Sequence, residues 1–382
     1  MGNMELIAPC HFGLEAVLKR EIYDLGYEIT SVTDGRVAFE ADAEGVARAN
    51  INLRTAERVL INVGSFAATT FEELFQGVKA IEWSQYLPRD AKFWVKKASS
   101  VKSKLFSPSD IQSIVKKAIV EKLKETYDTN WFEEDGNEYP IRVSIMKDVV
   151  TIALDTSGES LHKRGYRQFN SEAPISETLA AALLMLTPWK RDRILVDPFC
   201  GCGTFPIEAA LMAANIAPGV NREFTACDWT NIISNKIWRD AYEEARDMED
   251  RDFRGDIQGY DIDGEVLKAA RKNAKLAGVE NMIHLQQRDV ADLRHPKKYG
   301  FVVTNPPYGE RIFQEEELPG LYRSFGSAIE TLDDWSIYCI TSYEDVERYI
   351  GKKAAKKRKI YNGMIKTYFY QFPGAKPPKK NK

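Results

Sequence analysis

Four short stretches of the chain hold residues suited to chemistry, and each closes an apolar or strand-like run. In "ILVDPFCGCGT", Asp197 stands at the end of the run, and Gly201 and Gly203 make a tight turn. Glycines there let a ligand approach the backbone closely. No lysine follows Gly203, and the spacing is neither G-x-x-x-x-G-K-[ST] nor G-x-G-x-x-G, so a pyrophosphate has no cradle. An acid ahead of such a turn suits a nucleoside with a cationic, phosphate-free tail. Thr204 is placed to cap the following helix, whose first turn tolerates Pro206. In "GYDID", Asp261 is placed to accept hydrogen bonds from ribose hydroxyls, with Ile262 against an adenine ring. In "QQRDVADL", Asp289 is placed to accept from the adenine amino group. Phe199 and Val290, beside these acids, complete the expected lining. Finally, "FVVTNPPY" ends on two prolines, which cannot donate to a sheet ladder. That rigid backbone would hold Asn305 and Tyr308 beyond the strand's C-terminal end, where open α/β sheets bind ligands.

Any one of these acids would ordinarily be a cap or loop residue, as Asp263 is expected to be for the helix "GEVLKAARKNAKLAG". Three strand-end acids together with a glycine turn, in order along the chain, argue for a site. Cys200 and Cys202 are expected to fill the turn as small residues. Zinc needs about four ligands, and neither the other cysteines nor His11, His162, His284 and His295 complete a set, so no metal is expected.

The elements needed to position these residues are legible downstream of Pro174. Strand-like runs alternate with helical ones from "ISETLAAALLML" to "YEDVERYIGKK", which predicts a doubly wound parallel sheet. "KKRKIYNGMIKTYFYQF" predicts two strands about Asn362-Gly363, an antiparallel hairpin at the sheet edge. Upstream, residues 1–65 predict a small α+β unit and residues 66–158 a second, with a helix starting at Ser107-Pro108. A polar, basic connector covers 159–174, the α/β domain 175–373, and a basic tail 374–382.

Composition bounds the class. With 382 residues the chain has room for two or three domains of about 150 residues each. The hydrophobic share is 44% and the charged share 29%, values typical of a globular protein that does not span a membrane. No apolar run nears a membrane span, and no secretory signal opens the chain. Five scattered cysteines fit a reducing cytoplasm. The net charge of −3 hides a segregation: residues 92–124 hold nine lysines against two acids, and "KKAAKKRK" holds six basic residues and no acid. Such fields suit a polyanion. Lys96, Lys97, Lys102 and Lys104, with Lys163, Arg164 and Arg167 of the connector, are the expected contacts to nucleic-acid backbone phosphates.

The "DPFCGCGT" and "NPPY" motifs resemble those of S-adenosylmethionine-dependent methyltransferases acting on exocyclic amino groups of bases. The order of parts is similar to the THUMP-containing enzymes grouped with the large-subunit ribosomal RNA guanine-N2 methyltransferase. The resemblance covers nearly the whole chain, leaving only the basic tail. It implies a ferredoxin-like domain, an RNA-binding THUMP domain and a Rossmann-like methyltransferase domain, with S-adenosylmethionine as cofactor. It also implies catalytic roles. The Asn305 side-chain oxygen and the Pro306 carbonyl would hold the two hydrogens of the target amine, and Tyr308 would stack on a base flipped from its helix. Ribosomal RNA is the favoured partner over transfer RNA, whose guanine-N2 enzymes share this architecture. A DNA amino-methyltransferase would share the motif but lacks reason for a THUMP-like N-terminus. A binding factor that keeps the cofactor site as a relic is the reading from another class. Some ribosomal relatives carry a second methyltransferase domain, which this sequence does not include.

Overall fold

The structure is a computed structural model that describes residues 2–169, 174–308, 316–332 and 334–378. The end of "NPPYGER" after Tyr308, part of the connector and the last residues of the basic tail lie outside the described residues. The chain divides into two compact units: Met1–Cys10, Lys19–Leu161 and Glu223–Glu244 form the first, and His11–Leu18, His162–Arg222 and Ala245–Lys382 the second.

The first unit is built on strands β1 (Met4–Pro9), β2 (Glu28–Thr33), β3 (Arg36–Ala41), β4 (Leu60–Ala67), β5 (Lys92–Val101), β6 (Glu138–Met146) and β7 (Val149–Asp155). They form one sheet in the order β2-β3-β1-β4-β7-β6-β5. Alternation makes β6 a strand: Tyr139, Ile141, Val143 and Ile145 all point inward. β4 pairs with β1 on one side and β7 on the other, so hydrogen bonding runs unbroken past residue 65. The helix Pro108–Tyr127 starts as its sequence predicts, with the Ser107 hydroxyl accepting from Asp110 N–H. Asp155, fully buried at the end of β7, accepts from Arg58 and Arg142, each at 2.8 Å.

The segment 223–244 belongs to this unit although its sequence neighbours belong to the other. Aromatic packing explains it. Trp229 stacks on Tyr139 with centroids 4.9 Å apart, and its indole N–H donates to the Glu138 carbonyl at 2.8 Å. Tyr139 in turn donates to the Asn231 side chain. No periodicity in the sequence announces a pairing between residues about ninety positions apart.

The second unit carries β8 (Leu195–Asp197), β9 (Ile257–Asp261), β10 (Ile283–Gln287), β11 (Phe301–Thr304), β12 (Ser336–Thr341), β13 (Lys356–Asn362) and β14 (Ile365–Phe372). The sheet order is β10-β9-β8-β11-β12-β14-β13. The first five strands are parallel, and β14 is antiparallel to both β12 and β13. β11 is buried along its whole length, as expected when both faces of a parallel sheet are covered. The chain leaves β8 for β9 on one side and later returns to place β11 on the other. That reversal opens a crevice at the strands' C-terminal ends.

The helix Thr204–Ala213, next to β8, holds a charge in its buried surface. Glu208 is inaccessible, accepts from the Tyr166 hydroxyl at 2.9 Å and lies 3.6 Å from Arg164 Nε. Deleting one partner of such a pair leaves the other charge uncompensated, at a cost of about 3–5 kcal/mol. Glu208→Ala is expected to lose that much in urea unfolding. A change below about 1 kcal/mol would mean that this cluster does not stabilise the second unit.

Candidate active site

A cavity of 1040 Å³ opens at the C-terminal ends of β8, β9 and β11, with the segment after β10 completing it. It brings together Asp197, Phe199, Gly201, Thr204, Asp261, Ile262, Asp289, Val290, Asn305, Pro306 and Tyr308. Gly203 is absent from the wall and lies one layer below, where a Cβ would sit 3.2 Å from Ala270 and 3.3 Å from Ile207. Gly201 and Gly203 take positive φ of 51° and 90°, which explains why glycine occupies both.

The turn after β8 is tied down by the two acids. Asp197 Oδ1 accepts from Thr304 Oγ1 at 2.5 Å and from Phe199 N–H at 3.1 Å. Asp261 accepts from Gly201 N–H at 2.9 Å and from Asp263 N–H at 3.0 Å. Both carboxyls thus hold the loop as well as line the cavity. Burial pushes the Asp197 carboxyl up to about 7, against the opposing pull of its hydrogen bonds to Thr304 and Phe199. Burial also raises Asp261. Ile262, 62% exposed, presents a flat apolar side chain to the cavity. Asp289 is exposed and accepts from Ala291 N–H, which turns its carboxylate into the cap of a short helical turn.

At the far side, Asn305 Oδ1 is buried and has no hydrogen-bond partner among the described residues. An orphaned buried acceptor costs about 1–3 kcal/mol, so a donor arriving from a ligand would be favoured. The hydroxyl of Tyr322 donates to the Pro307 carbonyl at 3.3 Å and pairs with Thr341 at 2.7 Å, which braces the proline turn. The Tyr308 hydroxyl accepts from Asn362 Nδ2 at 2.9 Å.

Three expectations change. Thr204 does not cap its helix: Gly203, in the left-handed region, holds the cap position, and the Thr204 hydroxyl accepts from Arg167 at 3.2 Å. Arg164 is 4% exposed and ion-paired with Glu208, so its guanidinium does not face an RNA phosphate. Arg167 is spent on Glu177, 3.0 Å away, and on the Ile175 carbonyl, 2.6 Å away. The connector is basic because it is pinned to buried acids, a cause that composition does not reveal. Lys163 is exposed, as are Lys96, Lys97, Lys102 and Lys104. A β-bulge between Val95 and Lys97 lets two consecutive lysines face outward. Lys147 was not foreseen. Its N–H donates to the Val101 carbonyl, and Lys104 N–H donates to Asp148, so the two loops join their lysines at one end of the first unit.

Sequence reasoning also missed Arg288, Asn362 and Ile365 in the cavity wall. Arg288 lies over the Tyr260 ring at 4.5 Å. The hairpin residues had a signal: a strand antiparallel to β12 starts at the end where β12 finishes, so its turn reaches the ligand edge. Cys200 and Cys202 are buried in the turn, and no metal-holding group is found among the described residues.

The Asp197 shift has a stability consequence with a definite sign. An unfolded aspartate titrates near about 3.9. Between that value and about 7 the folded chain holds the extra proton, so the Asp197 contribution falls as pH rises through this window and is level above it. Asp197→Asn keeps the acceptor oxygen for Thr304 and Phe199 and removes the titration. Thermal unfolding between about pH 4.5 and about pH 8 is expected to show the variant gaining on the parent protein as pH rises. A gap that stays constant across the window would remove the titration of Asp197.

Comparisons with known proteins fit this geometry. Residues 164–371 match an RMKL-like methyltransferase domain, residues 5–60 an RlmL ferredoxin-like domain and residues 68–155 a THUMP domain. YpsC of Bacillus subtilis (strain 168), named as an RNA methyltransferase, is 47% identical over 384 residues, covering 100% of this chain and 99% of its own. Ribosomal RNA large subunit methyltransferase K/L of Hahella chejuensis (strain KCTC 2396) is 33% identical over 100% of this chain, which spans 55% of that protein's length. The crystal structure of SMU.472, named as a methyltransferase and complexed with SAH, superposes with a TM-score of 0.93 at 43% identity, covering 98% of this chain and 99% of its own. The match runs through both strand-end motifs and more than half of the residues, and the chain belongs to the RMKL-like methyltransferase family.

Proposed function

We propose that the chain methylates the N2 amino group of a guanine in ribosomal RNA. Its coarser activity follows from family membership: it is an RNA methyltransferase, and S-adenosylmethionine is its methyl donor. The cavity fits that cofactor. The glycine turn admits close approach, Asp197 and Asp261 offer negative charge to a cationic tail and to ribose hydroxyls, and Ile262 offers an apolar face to adenine. S-adenosylmethionine supplies an electrophilic methyl group on a positively charged sulfur.

The protein's own part is positioning. A base amine is a weak nucleophile because its lone pair is delocalised into the ring. Asn305 Oδ1 and the Pro306 carbonyl accept its two hydrogens and turn the lone pair out of the ring plane toward the methyl. Alignment of this kind contributes orders of magnitude in rate. The nitrogen becomes acidic as charge develops on it, so no strong base is required. The Tyr308 ring stacks on the extruded base, an interaction worth about 1–3 kcal/mol. The observation that carries this reading is the buried Asn305 Oδ1, without a partner among the described residues, in the same cavity as the glycine turn. Guanine over other bases rests on the resemblance of the motifs and domain order to guanine-N2 methyltransferases, and ribosomal over transfer RNA on that resemblance and on the names of the K/L relatives. We place the protein in the cytoplasm, where its free cysteines would stay reduced.

Methyl transfer from isotope-labelled S-adenosylmethionine to ribosomal RNA, transfer RNA and DNA from cells lacking the gene tests the reading. Labelled N2-methylguanosine in ribosomal RNA is expected. N6-methyladenosine or N4-methylcytidine would keep the mechanism and overturn the base, and label in transfer RNA would overturn the partner. Asn305→Ala is expected to lower the rate roughly a hundredfold or more while leaving cofactor and RNA binding unchanged. An unchanged rate would favour a binding factor. Replacing Lys97, Lys102 and Lys104 together by Ala is expected to reduce the salt dependence of RNA binding. The slope of log K against log salt should fall by about 2, from roughly 0.7 per phosphate contact on single strands. An unchanged slope would move the RNA surface elsewhere.

A further inference from the structure

The terminal hairpin reaches the site and has no part in the chemistry described so far. β14 pairs with β12 only from Tyr368 onward, opposite Thr341. Ile365, Lys366 and Thr367 therefore carry the hairpin beyond the last residue of β12, a reach of roughly 10 Å at about 3.3 Å per residue. Its turn is Gly363-Met364, with Gly363 at φ 60°. Asn362 and Ile365 line the cavity, and Asn362 Nδ2 donates to the Tyr308 hydroxyl. Met364 is 96% exposed, the most open of the large apolar side chains among the described residues; Lys366 follows two residues later on β14, and Lys359 lies farther down β13, opposite Tyr368.

We infer that this tip is a substrate-positioning element for the extruded base, an inference that rests on the function proposed above. Asn362 is a positioning residue: through the hydroxyl it fixes the rotation of the Tyr308 ring, and so the plane in which the base stacks beside Asn305. Met364 enters the gap that the base leaves in the RNA. Apolar side chains such as Met wedge between stacked bases in this way, and Lys366 near the tip faces the backbone phosphates. A methionine 96% exposed at the apex of a paired hairpin has no folded-state packing to explain it, whereas an unstacked base step supplies an apolar surface of its size.

The test uses the full chain and RNA from cells lacking the gene, with single-turnover methyl transfer at saturating RNA, SAH binding and thermal unfolding measured together. Asn362→Ala and Tyr308→Phe are each expected to slow transfer roughly 3- to 10-fold, the effect of one hydrogen bond. The double variant should be no slower than the slower single one, because both remove the same interaction. SAH affinity should not move. Met364→Ser, assayed in addition at subsaturating RNA, is expected to lower kcat/KM for RNA about tenfold with an unchanged unfolding midpoint. Multiplying effects of Asn362→Ala and Tyr308→Phe, or full activity of Met364→Ser, would overturn the inference. A parent protein that methylates no RNA would remove the proposed function and this role together, whereas an active parent with unaffected variants would remove only the role of the hairpin.

Discussion

One short hydrogen bond, from Thr304 Oγ1 to Asp197 Oδ1, joins the ends of two neighbouring strands, and the site is organised around it. β8 delivers the glycine turn and β11 delivers Asn-Pro-Pro-Tyr; their backbone pairing sets the strands side by side, and this bond ties their ends together. Both residues are inaccessible to solvent, so the bond is not diluted by competing water. The same burial makes the Asp197 charge costly. A positive charge brought beside this strand end would offset that cost.

Around that tie, polar groups do two jobs at once. Asp261 anchors the Gly201 amide and faces the cavity; Asp289 caps a turn and faces it too. The loops need no extra scaffolding, because the carboxylates that line the cavity are already oriented by backbone N–H groups. Asn305 is the exception. Its oxygen has no partner among the described residues, and a preorganised acceptor of this kind need not break a bond to them before it meets a donor.

Charge is handled differently in the two units. In the first, lysines of β5 and the loops beyond it are exposed, and a bulge doubles their density at one point. In the second, the arginines of the connector are turned inward against Glu177 and Glu208 and contribute stability and shape. Basic residues close in sequence type therefore serve opposite ends, and exposure rather than composition separates them.

Much of this was legible in the residues alone. Alternating strand and helix patterns, the Asn-Gly hairpin and the strand-end acids have local causes, namely side-chain periodicity, turn chemistry and capping. They led to a Rossmann-like sheet with an antiparallel edge and to a cavity wall that includes Asp197, Asp261, Asp289 and Asn305. Only the tertiary structure decided the rest, because each remaining feature depends on residues distant in sequence. Trp229 finds Tyr139 and carries its segment into the first unit; Arg164 finds Glu208 and leaves the surface. Asn362 finds Tyr308 across 54 residues, because the antiparallel edge brings its turn to the end of the sheet where the parallel strands finish. Periodicity specifies which face of an element is apolar, but a polar pair between elements exists only once packing has set the distance between them.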